Sequence, residues 1–238
     1  MKKGMFLFVI LLVVLVGCEN KSGDQSEKKD TSSADMEDIS VSFAGIEFSK
    51  AVNNAGEYCK IDSGQLQMNG VPKTNYFISP DGTRNEASAP ILLTEIDNKQ
   101  PFTFTTKLTN AIDSMYDAGT VYLYVNNSDW LKFAFERDEK GRNRVVTVRT
   151  KDSSDDNNHD ILLQSSVYMK ISSDTKQLGF YYSLDGTDWN LARLYRNDYP
   201  EKLWIGVSSQ SPRGTGNIAY FENMSLTQTN VTSFRLGE

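Results

Sequence analysis

The sequence predicts an all-β protein of packed antiparallel strands, and three features of the 238-residue chain point to this fold class. Many short segments alternate apolar and polar residues, as half-buried strands do. Turn sequences separate these segments, for example at residues 79–82 and 184–186. No long segment has the period of an amphipathic helix, and only residues 49–55 give a weak helical pattern. Together these features indicate a sandwich or a barrel.

Alternation along the predicted strands favours two packed sheets. Successive side chains of a strand point to opposite faces, so Phe102, Phe104 and Leu108 share one face and Thr103 and Lys107 the other. An apolar face along every strand is what two stacked antiparallel sheets require. The predicted strands are residues 41–48, 65–68, 74–78, 91–93, 102–108, 120–125, 130–137, 144–150, 164–171, 178–183, 190–195, 203–208 and 218–227.

The start of the chain has the features of a secretory signal. Lys2 and Lys3 precede an apolar run at residues 5–16 that is too short to span a bilayer. Residues 15–18, Leu-Val-Gly-Cys, resemble the bacterial lipobox, which implies cleavage before Cys18 and acylation of that cysteine. Several acyl chains on one residue anchor a protein firmly. We therefore expect a lipoprotein of the bacterial cell envelope, outside the cytoplasm, at the outer membrane or cell surface. An ordinary signal peptide followed by a chance cysteine is the alternative.

Composition divides the chain into three parts: a signal peptide at 1–17, a disordered tether from lipidated Cys18 at 18–38, and a single domain at 39–238. The tether is polar and charged, so it cannot bury enough apolar surface to fold. Loss of Lys2 and Lys3 with the signal changes the net charge of −6 to −8. This acidic chain argues against nucleic acid as a partner and against membrane contact other than through the anchor. Cys59, the remaining thiol, is expected to be a small buried residue.

The most informative stretch is residues 116–136, which predict a hairpin with two different faces. One face is apolar. The other carries the aromatic and charged residues Tyr122, Tyr124, Trp130, Lys132 and Glu136. Sugar rings present flat C–H faces edged by hydroxyl groups, so aromatic platforms beside Lys, Glu and Gln suit them. We therefore expect a carbohydrate-binding face here, extended by Trp204 and Gln210 if their strand lies in the same sheet. Cross-strand packing of these aromatic residues is the alternative.

Two other functions remain open. A glycoside hydrolase or lyase would use Glu136 with a second carboxylate that the sequence does not identify. Glu95 and Asp97 resemble part of the Glu-x-Asp-x-x-Glu signature of jelly-roll glucanases, but Gln100 takes the third position and Pro101 follows. A turn before the strand at 102–108 is the expected structure there. The third candidate is an envelope module that adheres to other proteins through a sheet face.

Metal and triad chemistry have little support in the sequence. His159 is the single histidine, so a His-rich metal site is excluded, and no cofactor or catalytic residue is assigned. The acidic run at 152–160 offers oxygen ligands for calcium, but it lacks the spacing of a known calcium loop. A mobile acidic loop is the expected structure. Residues 183–189 resemble the Asp-box of sialidases, which is a structural hairpin, and we expect that role here.

Residues 64–226 resemble a bacterial and fungal family of the concanavalin A-like lectin/glucanase superfamily, labelled as a domain of unknown function or "regulation of enolase-like". The match rests on Thr74-Asn75-Tyr76-Phe77, Tyr116-Asp117-Ala118-Gly119, the segment 130–136 and Tyr182-Ser183-Leu184-Asp185-Gly186. Thr120 and the acidic run depart from the family pattern. The resemblance implies a two-sheet antiparallel jelly-roll sandwich whose concave sheet binds a glycan. It implies no catalytic residue, because function has to be argued from the site.

Overall fold

The computed structural model describes Met1 and residues 36–238. The predicted signal peptide after Met1, the Cys18 lipidation site and the tether up to residue 35 lie outside the described residues. The described residues 36–238 belong to one compact unit. Among the described residues, no helix has the length and apolar composition needed to cross a membrane.

The described residues form seventeen strands and one short 3-10 helix, Ala55–Tyr58. The strands are β1 (Met36–Phe43), β2 (Ile46–Val52), β3 (Cys59–Asp62), β4 (Gln65–Gly70), β5 (Tyr76–Ile78), β6 (Asn85–Ala87), β7 (Ile91–Asp97), β8 (Phe102–Ala111), β9 (Ala118–Asn126), β10 (Asp129–Arg137), β11 (Asn143–Lys151), β12 (Ser153–Ile161), β13 (Ser166–Ser173), β14 (Gln177–Ser183), β15 (Asn190–Arg196), β16 (Lys202–Gln210) and β17 (Asn217–Thr227).

These strands build two large sheets. The first has the order β1-β2-β7-β16-β9-β10-β11-β12, and the second has the order β15-β14-β13-β8-β17-β4-β3. Strands β5 and β6 form a separate hairpin. All pairs within the two large sheets are antiparallel. The prediction of an all-β, two-sheet antiparallel jelly-roll sandwich is therefore confirmed.

The main core lies between the two sheets and takes the inward residues of nearly every strand. Phe133 of the first sheet packs against Phe180 of the second, with ring centroids 5.2 Å apart. Phe104 and Phe221 are also fully buried in this cluster. Burial of each such ring contributes about 2–3 kcal/mol of hydrophobic free energy. This contribution holds the two sheets together.

A second apolar cluster lies on the outer face of the first sheet, which is the face turned away from the main core. It includes Tyr122, Trp130 and Trp204 of the sheet and Tyr76 of β5. Residues 71–90, here called the cover segment, contain β5 and β6 and supply Tyr76 to this cluster. The first sheet is therefore buried on both faces over part of its area.

Three local expectations are corrected. Residues 153–161 form the edge strand β12 and not a loop, because their backbone pairs with β11 despite poor strand formers. By contrast, the expected turn before the strand at 102–108 is present: it follows the end of β7, and the Gln100 amide donates to the Asp97 carbonyl at 3.1 Å. The weak helical pattern at 49–55 belongs mostly to β2, which pairs with β1 and β7. Finally, β1 begins at Met36, so the last three residues of the expected tether are in a strand.

Candidate functional site

The outer face of the first sheet is organised in four rows that run across its central strands β16, β9, β10 and β11. Strand register aligns one residue of each strand in each row. The rows are Trp204, Tyr124, Trp130 and Thr150; then Gly206, Tyr122, Lys132 and Val148; then Ser208, Thr120, Ala134 and Val146; then Gln210, Ala118, Glu136 and Arg144. The sequence-predicted site residues are thus brought to one face, as alternation requires.

The aromatic end of this face is closed by Tyr76 of the cover segment. Its ring makes edge contacts with Tyr122, Tyr124 and Trp130, at centroid distances of 5.8, 6.3 and 5.9 Å. Such T-shaped contacts stabilise an aromatic cluster beyond its area burial. The three rings of the sheet are at most 2 % exposed. The expectation of an open aromatic platform is therefore corrected, because a sugar can stack only on an accessible ring.

Hydrogen bonds at several points fix the cover segment on the sheet. The Lys132 ammonium donates to the Tyr76 carbonyl at 2.9 Å. The Ile78 amide donates to the Ser154 hydroxyl at 3.0 Å. The Asn53 side-chain amide donates to the Ala89 carbonyl at 2.8 Å. These bonds satisfy backbone groups of a short two-stranded hairpin, which is marginal without such support.

Beside the covered aromatic cluster lies a cavity of about 150 Å³. Its base is formed by the buried residues Lys132, Val146, Val148 and Gln210. Its walls and mouth are formed by partly or fully exposed residues: Asn75, Phe77, Arg84, Tyr116, Glu136, Glu139, Asp156 and Asn158. Three of the seven sequence-predicted ligand residues, Lys132, Glu136 and Gln210, therefore line one cavity.

Several buried polar atoms around this cavity lack a partner in the part of the chain that the structure describes. They are Oε1 of Gln210, Oδ1 of Asn75 and, on the same sheet face, Oγ of Ser208. Gln210 is 1 % exposed, and its amide nitrogen donates only a long bond of 3.4 Å to the Tyr116 carbonyl. An unpartnered buried polar group costs about 1–3 kcal/mol, so such atoms mark a place where a polar ligand or water completes the structure.

Burial shifts the titration of the two charged residues at the cavity. The pKa of the Glu136 carboxyl rises to about 8, because desolvation outweighs the attraction of Lys132. Desolvation also lowers the pKa of the Lys132 ammonium, because this residue is only 3 % exposed. Lys132 donates one hydrogen bond, to Tyr76, and its ammonium has two further donors. The cavity therefore offers both donors and acceptors.

Trp204, the last of the predicted aromatic ligand residues, lies apart from the cavity. It is 5 % exposed and belongs to the covered cluster. The Lys202 ammonium lies 5.0 Å from its ring centroid. Its strand lies in the same sheet as the hairpin at 116–136, which meets the condition set from the sequence, but its ring packs against neighbouring side chains.

A calcium site at 152–160 receives no support from the geometry. The described residues contain no group of three or more His, Cys, Asp and Glu side chains able to hold a metal ion. Alternation in β12 sends Asp155 and Asp156 to opposite faces, which separates the oxygens that a loop would have gathered. His159 of the same strand is engaged by Thr147, at 2.8 Å from its Nε2.

Asp156 is poorly placed to act with Glu136 in glycoside hydrolysis. Asp156 lies two strands from Lys132 in register, and Glu136 lies four residues along β10, so their Cα atoms are roughly 16 Å apart. The two carboxyl groups of a glycosidase are about 5–9.5 Å apart. Side chains of Asp and Glu would have to extend fully toward each other to approach that range.

Sequence reasoning missed the contribution of the cover segment. Asn75, Phe77 and Arg84 line the cavity from this segment, and Asp156 lines it from the edge strand. The signal was present in part, since Thr74-Asn75-Tyr76-Phe77 was among the motifs that carried the family resemblance.

The Asp-box-like turn at 183–189 and the cysteine Cys59 have structural roles. Asp185 accepts bonds from the Thr187 and Asp188 amides in a tight turn, with Gly186 at φ +81°, and Cys59 is half-buried beside the main core.

Comparison with known proteins defines the class of this domain. Residues 52–229 match the family described as "Protein of unknown function (DUF1349)". The match covers more than half of the chain, so the protein belongs to this family. The finer resemblance to a "regulation of enolase-like" family stays a prediction. No curated protein shows significant sequence similarity to this chain.

Several solved structures share this fold. A functionally unknown protein from Saccharomyces cerevisiae aligns with a TM-score of 0.69 and 19 % identity, over 76 % of this chain and 96 % of its own. A xylan β-1,4-xylosidase from Bacillus halodurans aligns with a TM-score of 0.62 and 13 % identity, over 81 % of this chain but only 39 % of its own. A Bacteroides ovatus protein of glycoside hydrolase family 43 aligns with a TM-score of 0.61 and 14 % identity, over 80 % of this chain and 38 % of its own. At these identities the likeness shows a shared fold.

Proposed function

We propose that this protein binds carbohydrate in the cavity lined by Lys132, Glu136 and Gln210. The observation that carries the proposal is the set of buried polar atoms without partners at that cavity, above all Oε1 of Gln210. Sugar hydroxyls donate and accept at once, which matches a lining with the Lys132 donor beside carboxylate and amide acceptors. The similar fold of domains in glycoside hydrolases that include a xylosidase supports the same ligand class.

We further propose that lipidated Cys18 tethers this binding domain to the bacterial cell envelope, outside the cytoplasm. The support is the basic start, the apolar run and the lipobox-like residues 15–18. Cells that express the protein and are fed labelled palmitate should incorporate label into the wild type and not into Cys18→Ser. Absence of label from the wild type would overturn this assignment.

Hydrolysis with Glu136 as proton donor is the second candidate. Its one supporting observation is the raised pKa of Glu136, which keeps a proton on the carboxyl near neutral pH, as a general acid needs. Glu139 lines the same cavity and would be the partner carboxylate. Release of reducing ends from xylan or xyloglucan by the wild type, and its loss in Glu136→Gln, would favour this function over binding alone.

A glycan array followed by calorimetry tests the binding proposal. The wild type should bind at least one glycan, and Lys132→Met should weaken that binding at least tenfold. Lys170→Met is the matched control, because Lys170 also donates to a backbone carbonyl, at 2.8 Å, beside a tryptophan ring. The control should retain affinity within twofold. Equal effects of the two substitutions, with both variants folded, would remove the cavity from the proposal.

A further inference from the structure

The size, closure and charge of the cavity narrow the ligand class. We infer that the site holds one neutral sugar ring at the end of a glycan chain, and not an internal stretch of polysaccharide. This inference rests on the proposed carbohydrate-binding function and adds to it the number of sugar units, their position in the chain and their charge.

The volume of the cavity admits one ring. A protein cavity of about 150 Å³ is large enough to hold one benzene molecule, whereas sites for larger ligands occupy about 300–1,000 Å³. The cavity here measures about 150 Å³. A pyranose or furanose ring fills such a space, and neighbouring sugar units of a chain would have to remain outside it.

The cover segment closes the cavity at its aromatic end. There Tyr76 lies over Tyr122 and Trp130, and its carbonyl accepts a hydrogen bond from the Lys132 ammonium. An internal segment of a polysaccharide needs an open path on both sides of the bound unit. A terminal unit needs only the mouth.

The charges of the lining are mixed and favour a neutral ligand. Lys132 and Arg84 supply positive charge, Glu139 and Asp156 supply negative charge, and Glu136 adds a carboxyl whose raised pKa keeps it protonated near neutral pH. An acidic sugar such as a uronic acid would meet no excess of positive charge. A neutral ring avoids the cost of placing an unpaired charge beside these carboxylates.

The spacing of the polar groups suits hydroxyls on two sides of one ring. Lys132 and Glu136 lie four residues apart on β10, so their Cα atoms are roughly 13 Å apart, with Ala134 between them. Both side chains line the cavity, so polar groups reach it from two positions along the strand. Lys132 would donate to one side, while Glu136 and Gln210 would bind the other.

The test measures affinity against chain length with defined probes. Neutral xylo-, cello- and galacto-oligosaccharides of one to six units, together with glucuronic and galacturonic acid, are titrated into the purified wild type by calorimetry. Within the series that binds, we expect molar affinities that agree within about threefold from one to six units. We also expect the free monosaccharide to compete fully with the hexamer.

A cavity-filling variant provides the second measurement. Val146→Phe places a ring at the base of the cavity and should abolish binding of monomer and hexamer alike, with folding checked by circular dichroism. The competition by free monosaccharide needs no variant, so it decides the matter if Val146→Phe fails to fold.

The other outcomes separate this inference from the proposed function. An affinity that rises more than tenfold with chain length would overturn the single-ring site while leaving carbohydrate binding intact. Binding of the uronic acids alone would overturn the neutral ligand and leave carbohydrate binding intact as well. If none of the probes binds and no glycan on the array does so, the proposed function fails and this inference fails with it.

Discussion

The two outer faces of the sandwich share one feature. On each face, a lysine of the sheet donates a hydrogen bond to a chain segment that crosses the sheet. On the first sheet, Lys132 donates to the Tyr76 carbonyl of the cover segment at 2.9 Å. On the second sheet, Lys170 donates to the Gly237 carbonyl of the C-terminal segment, residues 228–238, at 2.8 Å. Desolvation lowers the pKa of both ammonium groups.

The two faces differ in what fills the space around the lysine. The Lys170 ammonium lies 3.7 Å from the Trp189 ring centroid, so a side chain of the protein satisfies it. The Lys132 ammonium lies 5.7 Å from the Trp130 centroid and borders a cavity with unpartnered polar atoms. The comparison shows that a covering segment alone is a structural feature. The unfilled polar space beside Lys132 is what distinguishes a candidate site.

The largest expected difference between the faces lies in the rings that cover them. Tyr76→Ala should lower the free energy of unfolding by about 3–5 kcal/mol, because a fully buried ring that touches three others leaves a cavity. Trp189→Ala should cost about 1–2 kcal/mol, since Trp189 is partly exposed. Urea unfolding of both variants measures the difference. Similar losses would mean that the first sheet does not depend on its cover.

Alternation in the sequence was enough to find the outward face of β9 and β10, because strand geometry alone decides which side chains share a face. It could not show that Tyr76 covers that face. The Tyr76 hydroxyl bonds the Asn127 side chain 51 residues further along the chain, and no local pattern encodes such a contact. The segment was predicted as a strand, correctly at residues 76–78, but its position above the sheet is a tertiary property.

The edge strand shows the same limit. Asp155, Asp156 and Asn157 disfavour strands, so their composition predicted a loop. Pairing with the strongly strand-forming β11 overrides this preference at the sheet edge. That pairing brings Asp156 to the cavity. Local composition alone therefore could not identify Asp156 as a lining residue of the site.

A smaller effect, confined to the first face, is the pH dependence that Glu136 contributes. Its pKa is raised to about 8 in the folded state from an ordinary value of 4.5, so the folded protein binds more protons between these values. This contribution to stability is present at low pH and is lost as pH rises through about 8. Glu136→Gln should therefore reduce the fall in unfolding free energy from pH 5 to pH 8 by about 1–2 kcal/mol, allowing for partial solvent screening.

Glu95→Gln is the control for this prediction. Glu95 lies on the same face of the first sheet, exposed to solvent and paired with Lys202 at 2.8 Å. Its substitution should leave the slope between pH 5 and pH 8 as in the wild type. An unchanged slope in Glu136→Gln, measured by urea unfolding across the same range, would show that the Glu136 carboxyl titrates as an exposed group does.

The smallest effects concern two serines that anchor the crossing segments. Ser154 accepts the Ile78 amide at 3.0 Å, and Ser172 of the second sheet accepts the Val231 amide at the same distance. Both hydroxyls are fully buried and also bond a threonine: Thr150 for Ser154 and Thr103 for Ser172. Alanine at either position should therefore cost about 1–2 kcal/mol of stability.

The two variants should differ in ligand affinity. Phe77, next to Ile78, lines the cavity, whereas Val231 lies in the C-terminal segment that crosses the second sheet. Ser154→Ala should weaken glycan binding several-fold and Ser172→Ala should leave it within twofold, as measured by calorimetry on the two proteins at matched folded fractions. Loss of binding in Ser172→Ala alone would move the site to the second sheet.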